Sequence, residues 1–190
     1  METLSILLNK GIGPFSLGLS QTEVELLIKE LHRNLDSKQP MRPSRIERCA
    51  SSKCYTVRYY IGSPLMLIDA GYNQNERLVS ISIDRSTLDF FETLLNNKNV
   101  FSTEAEMLVN ELKHSDNCTF DQPDEQLSTQ YTFLTLGIHF WREYAFHRKL
   151  LEDSVWMKTM SDVLEDEYQH LYFDMVTVFD PHYAKEFGYI

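Results

Sequence analysis

The hydrophobic positions of this 190-residue chain follow a helical period in one early segment. Ser20-Gln21-Thr22-Glu23 has the spacing of a capping box, in which a hydroxyl and a carboxylate satisfy the first turn of a helix. Apolar residues then recur at helical intervals, at Val24, Leu26, Leu27, Leu31 and Leu35. The pattern predicts a helix from about residue 21 to residue 35.

Three strand-like segments follow a polar connection at residues 42–52. They read CYTVRYYI, PLMLIDAGY and RLVSISID, and turn residues separate them at 62–64 and 73–76. All three are rich in β-branched and aromatic residues, which favour strands. Because short turns join neighbouring strands, the segments predict an antiparallel meander.

The second half of the chain repeats this order in outline. Capping residues at 86–89 and 103–106 predict two short helices, over Leu88, Phe91, Leu94 and Leu95 and over Met107, Leu108 and Leu112. Residues 129–146 predict two strands broken near Gly137, and residues 172–179 predict a final strand that Asp180-Pro181 ends. Between them, residues 155–171 are predicted to be partly helical.

Two rounds of helix followed by antiparallel strands predict an α+β fold with two antiparallel sheets and packed helices. The order also suggests an internal helix-plus-strands pseudo-repeat, although no sequence identity relates the two halves. Hydrophobic residues make up 43% of the chain and aromatic residues 12%, which is enough for a sizeable core. Since no Gly/Ser linker interrupts it, residues 1–190 are predicted to form a single domain.

Within the glycine-rich stretch GIGPFSLGLS at residues 11–20, residues 13–20 match a phosphate-binding loop at every defined position but one. Leu19 stands where that loop needs lysine, and Pro14 lacks a backbone amide that could donate to phosphate. The glycines are therefore predicted to be turn residues that reverse a short strand, PFSLG, into the helix capped by Ser20.

The residues that most often carry catalysis or bind metals are scattered. The six histidines, at positions 32, 114, 139, 147, 170 and 182, form no zinc motif, and the Glu167-x-x-His170 spacing has no second copy. The odd number of cysteines, Cys49, Cys54 and Cys118, predicts reduced thiols. No G-x-S-x-G motif is present, so we predict no catalytic residue, metal or cofactor.

The charge of the chain is unevenly distributed. The first hundred residues have a net charge of +1, whereas the last ninety carry six basic and seventeen acidic residues, a net charge of −11. This excess of negative charge repels nucleic acid and anionic lipid and attracts a basic protein, so neither nucleic acid nor membrane is an expected partner. Without a long apolar run or a signal-peptide pattern, a cytoplasmic location is expected.

The acidic half supplies the candidate partner-binding residues, which lie in or beside predicted loops and an amphipathic helix. They are Asp121, Asp124, Glu125, Glu152, Asp153, Asp162, Glu165, Asp166 and Glu167. Aromatic anchors for the same contact are available at Tyr131, Tyr144, Trp156 and Tyr168. Alternatively, Trp141 and Trp156 lie in the hydrophobic core and do not contact a partner.

Two segments of the chain resemble those of the immunity proteins of contact-dependent growth inhibition and related polymorphic toxin systems. They are GIGPFSLGLSQTEVELLIKEL, followed by antiparallel strands, and LGIHFWREY, together about 30 of 190 residues. The resemblance implies a protein that binds and blocks one cognate toxin domain, often a basic nuclease, without a cofactor. Immunity proteins diverge with their toxins, so it implies no specific binding residue, although some accept a toxin strand at a sheet edge.

The charge distribution and the resemblance to immunity proteins together predict a non-enzymatic immunity protein. It is expected to neutralise a cognate basic toxin domain, most often a nuclease, through its acidic surface. One alternative is a general protein-interaction or regulatory module without a toxin partner. Another is a small hydrolase with a spatially assembled site, which a deep pocket lined by His139 or His147 with carboxylates would favour.

Overall fold

The computed structural model describes residues 2–34, 42–48, 53–61 and 66–190. The strands among these residues are β1 Glu2–Leu7, β2 Gly11–Ile12, β3 Phe15–Ser16, β4 Arg42–Arg48, β5 Cys54–Ile61, β6 Met66–Asn73, β7 Leu78–Asp84, β8 Phe91–Leu95, β9 Lys98–Asn99, β10 Cys118–Phe120, β11 Gln130–Phe133, β12 Ile138–Trp141 and β13 Met175–Phe179. The α-helices are α1 Gln21–Asn34, α2 Ala105–Lys113, α3 Ser154–Met160 and α4 Leu164–Glu167. Short 3-10 turns link several of these elements.

The strands form two sheets, which confirms the predicted α+β fold. The smaller sheet has the order β3-β2-β1-β8-β9, and the larger has the order β10-β11-β12-β13-β7-β6-β5-β4. Every pairing in the larger sheet is antiparallel, as predicted. In the smaller sheet β1 and β8 run parallel, with Glu2 opposite Phe91, a pairing that no local turn pattern could indicate.

The larger sheet consists of two four-stranded meanders that meet in its centre. Strands β4 to β7 form the first and β10 to β13 the second, and β7 pairs with β13 so that Ile81 lies opposite Val178. One helix precedes each meander, α1 the first and α2 the second. The element order therefore shows the two predicted rounds of helix followed by strands.

The two faces of the larger sheet differ in character. Along β7, Ile81 and Ile83 belong to the hydrophobic core that includes residues of α1 and α2, whereas Ser80 and Ser82 alternate with them on the opposite face. The same alternation places Val176 and Val178 of β13 in the core and Thr177 on the other side. We call the side opposite the core the outer face.

The capping box and the glycine turn are confirmed. The Ser20 backbone N donates to Glu23 Oε2 at 2.7 Å, and the Glu23 backbone N donates to Ser20 Oγ at 3.3 Å. Upstream, the strand preceding the helix is only β3, and Gly13 and Gly18 occupy the turns on either side of it with φ of 54° and 91°. Helix α1 begins as predicted, and the predicted end at Leu35 lies outside the described residues.

Replacing Ser20 with alanine removes half of this cap. We expect the free energy of unfolding to fall by about 1 kcal/mol, since the first turn of α1 would lose a side-chain acceptor. Urea denaturation measures the change, and Ser20→Thr should restore most of it. A loss of stability that is equal for alanine and threonine would contradict a capping role.

The helix predicted after residues 86–89 is wrong. Residues Arg85–Asp89 form a 3-10 turn capped by Asp84, which accepts from the Ser86 backbone N at 2.8 Å, and β8 follows. Phe91, Thr93 and Leu95 are buried while Glu92 is exposed, so the segment alternates with the period of a strand. Pairing with β1 therefore overrides the local helical spacing.

Two further local predictions are corrected. The predicted second helix forms as α2, but Glu104 stands at its N-cap without a side-chain cap, so Thr103 does not close a capping box. Part of the polar connection at 42–52 is strand β4. The predicted strands within 54–84, 129–146 and 172–179 are confirmed, and residues 155–171 are partly helical as expected.

Candidate functional site

The longest connection in the second meander joins β12 to β13 and contains α3 and α4. We call residues 143–174 the β12–β13 segment. Its first helix is fixed by Asp153, whose Oδ1 accepts from the backbone N of Val155 at 2.8 Å and of Trp156 at 3.1 Å. None of the helices in the described ranges has the combined length and apolar character that a membrane span needs.

Arg142 ties this segment to the sheet. Its side chain is 2% exposed, and burial lowers its pKa. Its N–H groups donate at 3.0 to 3.2 Å to the carbonyl oxygens of Ser128, Phe146, His170 and Gln126 and to the hydroxyl of Tyr131. Because these acceptors belong to separate stretches of chain, one guanidinium holds the β10–β11 loop and both ends of the segment together.

Aromatic packing completes the attachment. The buried Phe146 stacks on Trp156 with 5.5 Å between ring centroids and meets the edge of Tyr168 at the same separation. Of the predicted aromatic anchors, Tyr144 is 60% exposed, whereas Tyr131 is buried and is unavailable to a partner. Trp141 and Trp156 are both half-buried, between the two alternatives that the sequence left open.

Four of the nine predicted carboxylates already bond backbone amides or basic side chains. Asp121 accepts from the backbone N of Thr129 at 2.8 Å and of Gln130 at 3.0 Å, and Asp124 caps the turn at Glu125–Leu127. Asp124 also pairs with Lys149, Glu125 pairs with Lys113, and Asp153 caps α3. These residues chiefly organise local structure, a role that spacing alone did not distinguish from partner binding.

The other five predicted carboxylates form an acidic patch on the β12–β13 segment. The acidic patch consists of Glu152, Asp162, Glu165, Asp166 and Glu167, of which four are exposed and Glu167 is half-buried. No lysine, arginine or histidine among the described residues pairs with them. With Asp153 and a single base, Lys158, residues 150–171 have a formal charge of −5.

The basic residues that begin the same segment are already engaged. Arg148 pairs with Glu104 at 2.6 Å, Lys149 pairs with Asp124, and His147 Nε2 lies 2.8 Å from Glu106 Oε2. The negative charge of the acidic patch is therefore not balanced by its neighbours. The same segment carries an exposed apolar residue on α3, Val155, which is 73% exposed.

A small cavity of about 120 Å³ lies between α2 and the start of the segment and is lined by His147 with Glu104 and Glu106. The Lys149 backbone N donates to His147 Nδ1 at 3.1 Å, so Nε2 carries the proton and donates to Glu106. Both ring nitrogens are thus occupied, and the described lining includes no serine, threonine or cysteine nucleophile.

A row of polar side chains crosses the outer face of the larger sheet. We call it the polar row; strand register places its members opposite one another in the order Arg58, Asp69, Ser82, Thr177, His139 and Thr132. Neighbours pair off: Arg58 binds Asp69 through two bonds of 2.8 and 2.6 Å, and the Ser82–Thr177 and Thr132–His139 contacts are 2.8 Å each.

An open groove of about 600 Å³ lies above the polar row, where His139 and Trp141 contribute to its lining. His139 is 6% exposed, and burial lowers its pKa to about 4, so the ring is neutral at pH 7. Asp69, which also lines the groove, is held by Arg58. This surface was not predicted, although polar residues at alternate strand positions, such as Ser80 and Ser82, indicated it.

The described residues contain no group of three or more His, Cys, Asp or Glu side chains placed to hold a metal ion. Cys118 is a free thiol whose pKa burial raises to about 12, which disfavours the reactive thiolate. Cys49 lies outside the described residues.

No protein-family model, no curated protein and no solved structure matches this chain. What defines it is an α+β architecture with an acidic patch on one connection and a polar groove on one sheet face. Its function can therefore be inferred only from these features.

Proposed function

We propose that this protein binds a basic protein domain through the acidic patch and thereby neutralises it, as immunity proteins do with a cognate toxin, most often a nuclease. The observation that carries the proposal is the set of five carboxylates without a described basic partner, on a segment whose own cations are largely paired elsewhere. No cofactor takes part in such a contact.

The negative charge of the acidic patch favours fast and selective association with a cationic partner. Exposed carboxylates of one sign raise the rate at which a cationic partner arrives, and this gain decreases as salt screens the charges. The exposed Val155 and Tyr144 lie on the same segment and provide apolar surface that a partner can bury. The Arg142 anchor supports the proposal further, because a surface held in place loses little entropy on binding.

The test is a pull-down with the intact protein as bait, in host lysate and with the product of the adjacent gene, followed by association kinetics with the partner recovered. We expect a basic domain at near one-to-one stoichiometry, and co-expression with this protein should relieve the toxicity of that domain. Recovery of a partner that is harmless when expressed alone would instead favour a general interaction module.

Charge reversal at Glu165, Asp166 and Glu167 to lysine should slow association with this partner by at least about tenfold at low salt. The matched control reverses three exposed carboxylates elsewhere, Glu30, Glu76 and Glu92, and changes the net charge by the same amount. Stopped-flow or surface-plasmon measurements at two salt concentrations provide the rates. Equal rates for the two triple variants would show that the acidic patch is not the contact.

A further inference from the structure

An aromatic side chain and a thioether lie together on the outer face, beside the polar row. Strand register places Trp141 opposite Met175 on one side and opposite Gln130 on the other, and the next outward positions on the same strands are His139 and Thr177. Trp141 and Met175 are only half-buried, and both line the open groove. Because outward positions on one strand are about 7 Å apart, this pair lies about one fused ring's length from the polar row.

The end of the chain forms a fixed wall of this groove. We call residues 184–189 the C-terminal turn. The Gly188 backbone N donates to the Lys185 carbonyl oxygen at 3.2 Å, and the Tyr189 backbone N donates to the Ala184 carbonyl oxygen at 3.0 Å. Ala184 is buried, so the turn is anchored to the rest of the protein. The volume of about 600 Å³ is therefore free with the C-terminal turn in place.

The charged side chains that line the groove are paired, with one exception. Asp69 is held by two hydrogen bonds from Arg58, and Glu186 pairs with Lys53 at 3.8 Å. Lys185 lines the same groove and is exposed, and no carboxylate in the described part of the chain pairs with it. The groove therefore has an unbalanced positive charge, on a chain whose formal net charge is −10.

A neutral polar atom of the groove also lacks a partner. His139 is 6% exposed and uses Nδ1 for the Thr132 hydroxyl, at 2.8 Å. Its Nε2 is not bonded by any residue that the structure describes, and the atom is not sealed from solvent. A polar atom in a largely buried ring is costly to leave unpaired, so it favours a ligand that bonds it.

We propose that this groove binds a small planar aromatic carboxylate. The ring lies on the Trp141–Met175 pair, since an indole and a thioether both pack favourably on an aromatic ring. The carboxylate pairs with Lys185 and accepts a hydrogen bond from His139 Nε2, while the Thr132 hydroxyl donates to Nδ1. A volume of about 600 Å³ is within the usual range for a site of this kind. The groove shares no residue with the acidic patch, so this inference is independent of the proposed function.

The probe is 2-naphthoate, and 2-naphthamide is the neutral control of the same shape. NMR of the ¹⁵N-labelled full chain follows the indole N–H of Trp141, and Trp156→Phe assigns the two indole signals, since the chain has two tryptophans. We expect 2-naphthoate to shift the Trp141 signal saturably with a Kd of about 0.1 to 1 mM, because an open groove covers only part of the ligand. The amide should bind about three- to fivefold more weakly, which is the contribution of one exposed ion pair.

Three variants separate the charge from the ring contact. Lys185→Met should weaken binding of 2-naphthoate to the level of the amide and leave binding of the amide unchanged. Lys29→Met removes the same charge from an exposed position on α1, on the other side of the sheet, and should behave as the wild type. Trp141→Leu should weaken binding of both compounds at least about fivefold, measured on the ligand signals by saturation transfer.

The proposal is overturned if 2-naphthoate at millimolar concentration leaves the Trp141 signal in place, or shifts the Trp156 signal to the same extent. A Lys185→Met protein that still prefers 2-naphthoate to the amide would overturn it as well. Because Lys185 is exposed and unpaired, its replacement leaves the fold intact, so this comparison holds even if Trp141→Leu loses its native circular dichroism.

Discussion

Replacing Arg142 with methionine should lower the free energy of unfolding by about 3 to 5 kcal/mol, because several hydrogen bonds from a charged donor to buried carbonyl oxygens are lost. This is a large part of the stability of a typical domain. The guanidinium donates to four carbonyl oxygens and one hydroxyl in a buried site, and methionine fills similar volume without a single donor. The carbonyl oxygens of Ser128, Phe146 and Gln126 would lose this donor, which is costly for buried acceptors. The His170 carbonyl oxygen would still accept from the Phe146 backbone N, and the Tyr131 hydroxyl would still donate to the Glu125 carbonyl oxygen. Urea or thermal denaturation measures the loss.

The comparison that isolates this effect is Arg148→Met. Arg148 lies on the same segment and pairs with Glu104, but its side chain is largely exposed, so its removal should change stability little. Because Arg142 anchors the segment that carries the acidic patch, its replacement should also weaken partner binding beyond the effect of global unfolding. If the two arginine variants unfold at the same urea concentration, the anchoring role of Arg142 is wrong.

Stability should decrease as the pH falls from about 6.5 to about 4 because His139 is buried as a neutral ring. Its pKa in the folded protein is lowered from 6.5 to about 4, chiefly by burial, so the unfolded chain binds a proton that the folded chain does not. The stabilisation is complete above pH 6.5 and is lost as the pH approaches 4, by about 3 kcal/mol in total. Urea denaturation across this range measures the slope.

His139→Asn should remove most of this pH dependence, since asparagine does not titrate and can still bond Thr132 at the position of Nδ1. The variant should be less stable than the wild type at pH 7, because it loses the stack on Tyr189, and the two should converge towards pH 4. Carboxylate protonation acts on both proteins and cancels in the difference. Parallel curves for the wild type and His139→Asn would contradict the assignment.

Much of the fold could be predicted because its local patterns are consistent with its tertiary contacts. The Ser20–Glu23 cap forms as its spacing indicates, and the alternation in 54–61 and 129–141 matches strands whose apolar side faces the core. Prediction failed at residues 91–95, where an apolar spacing compatible with a helix lies in a strand. The deciding interaction there is the pairing with β1, which is distant in sequence.

The candidate site was predicted in part. The charge excess pointed to the β12–β13 segment, where Glu165, Asp166 and Glu167 lack described basic partners. Sequence spacing could not distinguish them from Asp121 and Asp124, because the donors that engage those two come from turns and from Lys149. Nor did it indicate that Arg142 would be buried among carbonyl oxygens contributed by separate segments.

The sequence by itself determined the features that depend on neighbours a few residues apart, namely the cap of α1, the alternation of the strands, the glycine turn and the concentration of negative charge. Tertiary structure alone decided the parallel pairing of β1 with β8, the polar row on the outer face and which carboxylates lack a basic partner among the described residues. The physical reason is the distance along the chain over which each kind of interaction acts. Caps and periodicities arise from contacts within one turn or one hairpin, whereas register, burial and ion pairing depend on which distant segments the packed core brings together.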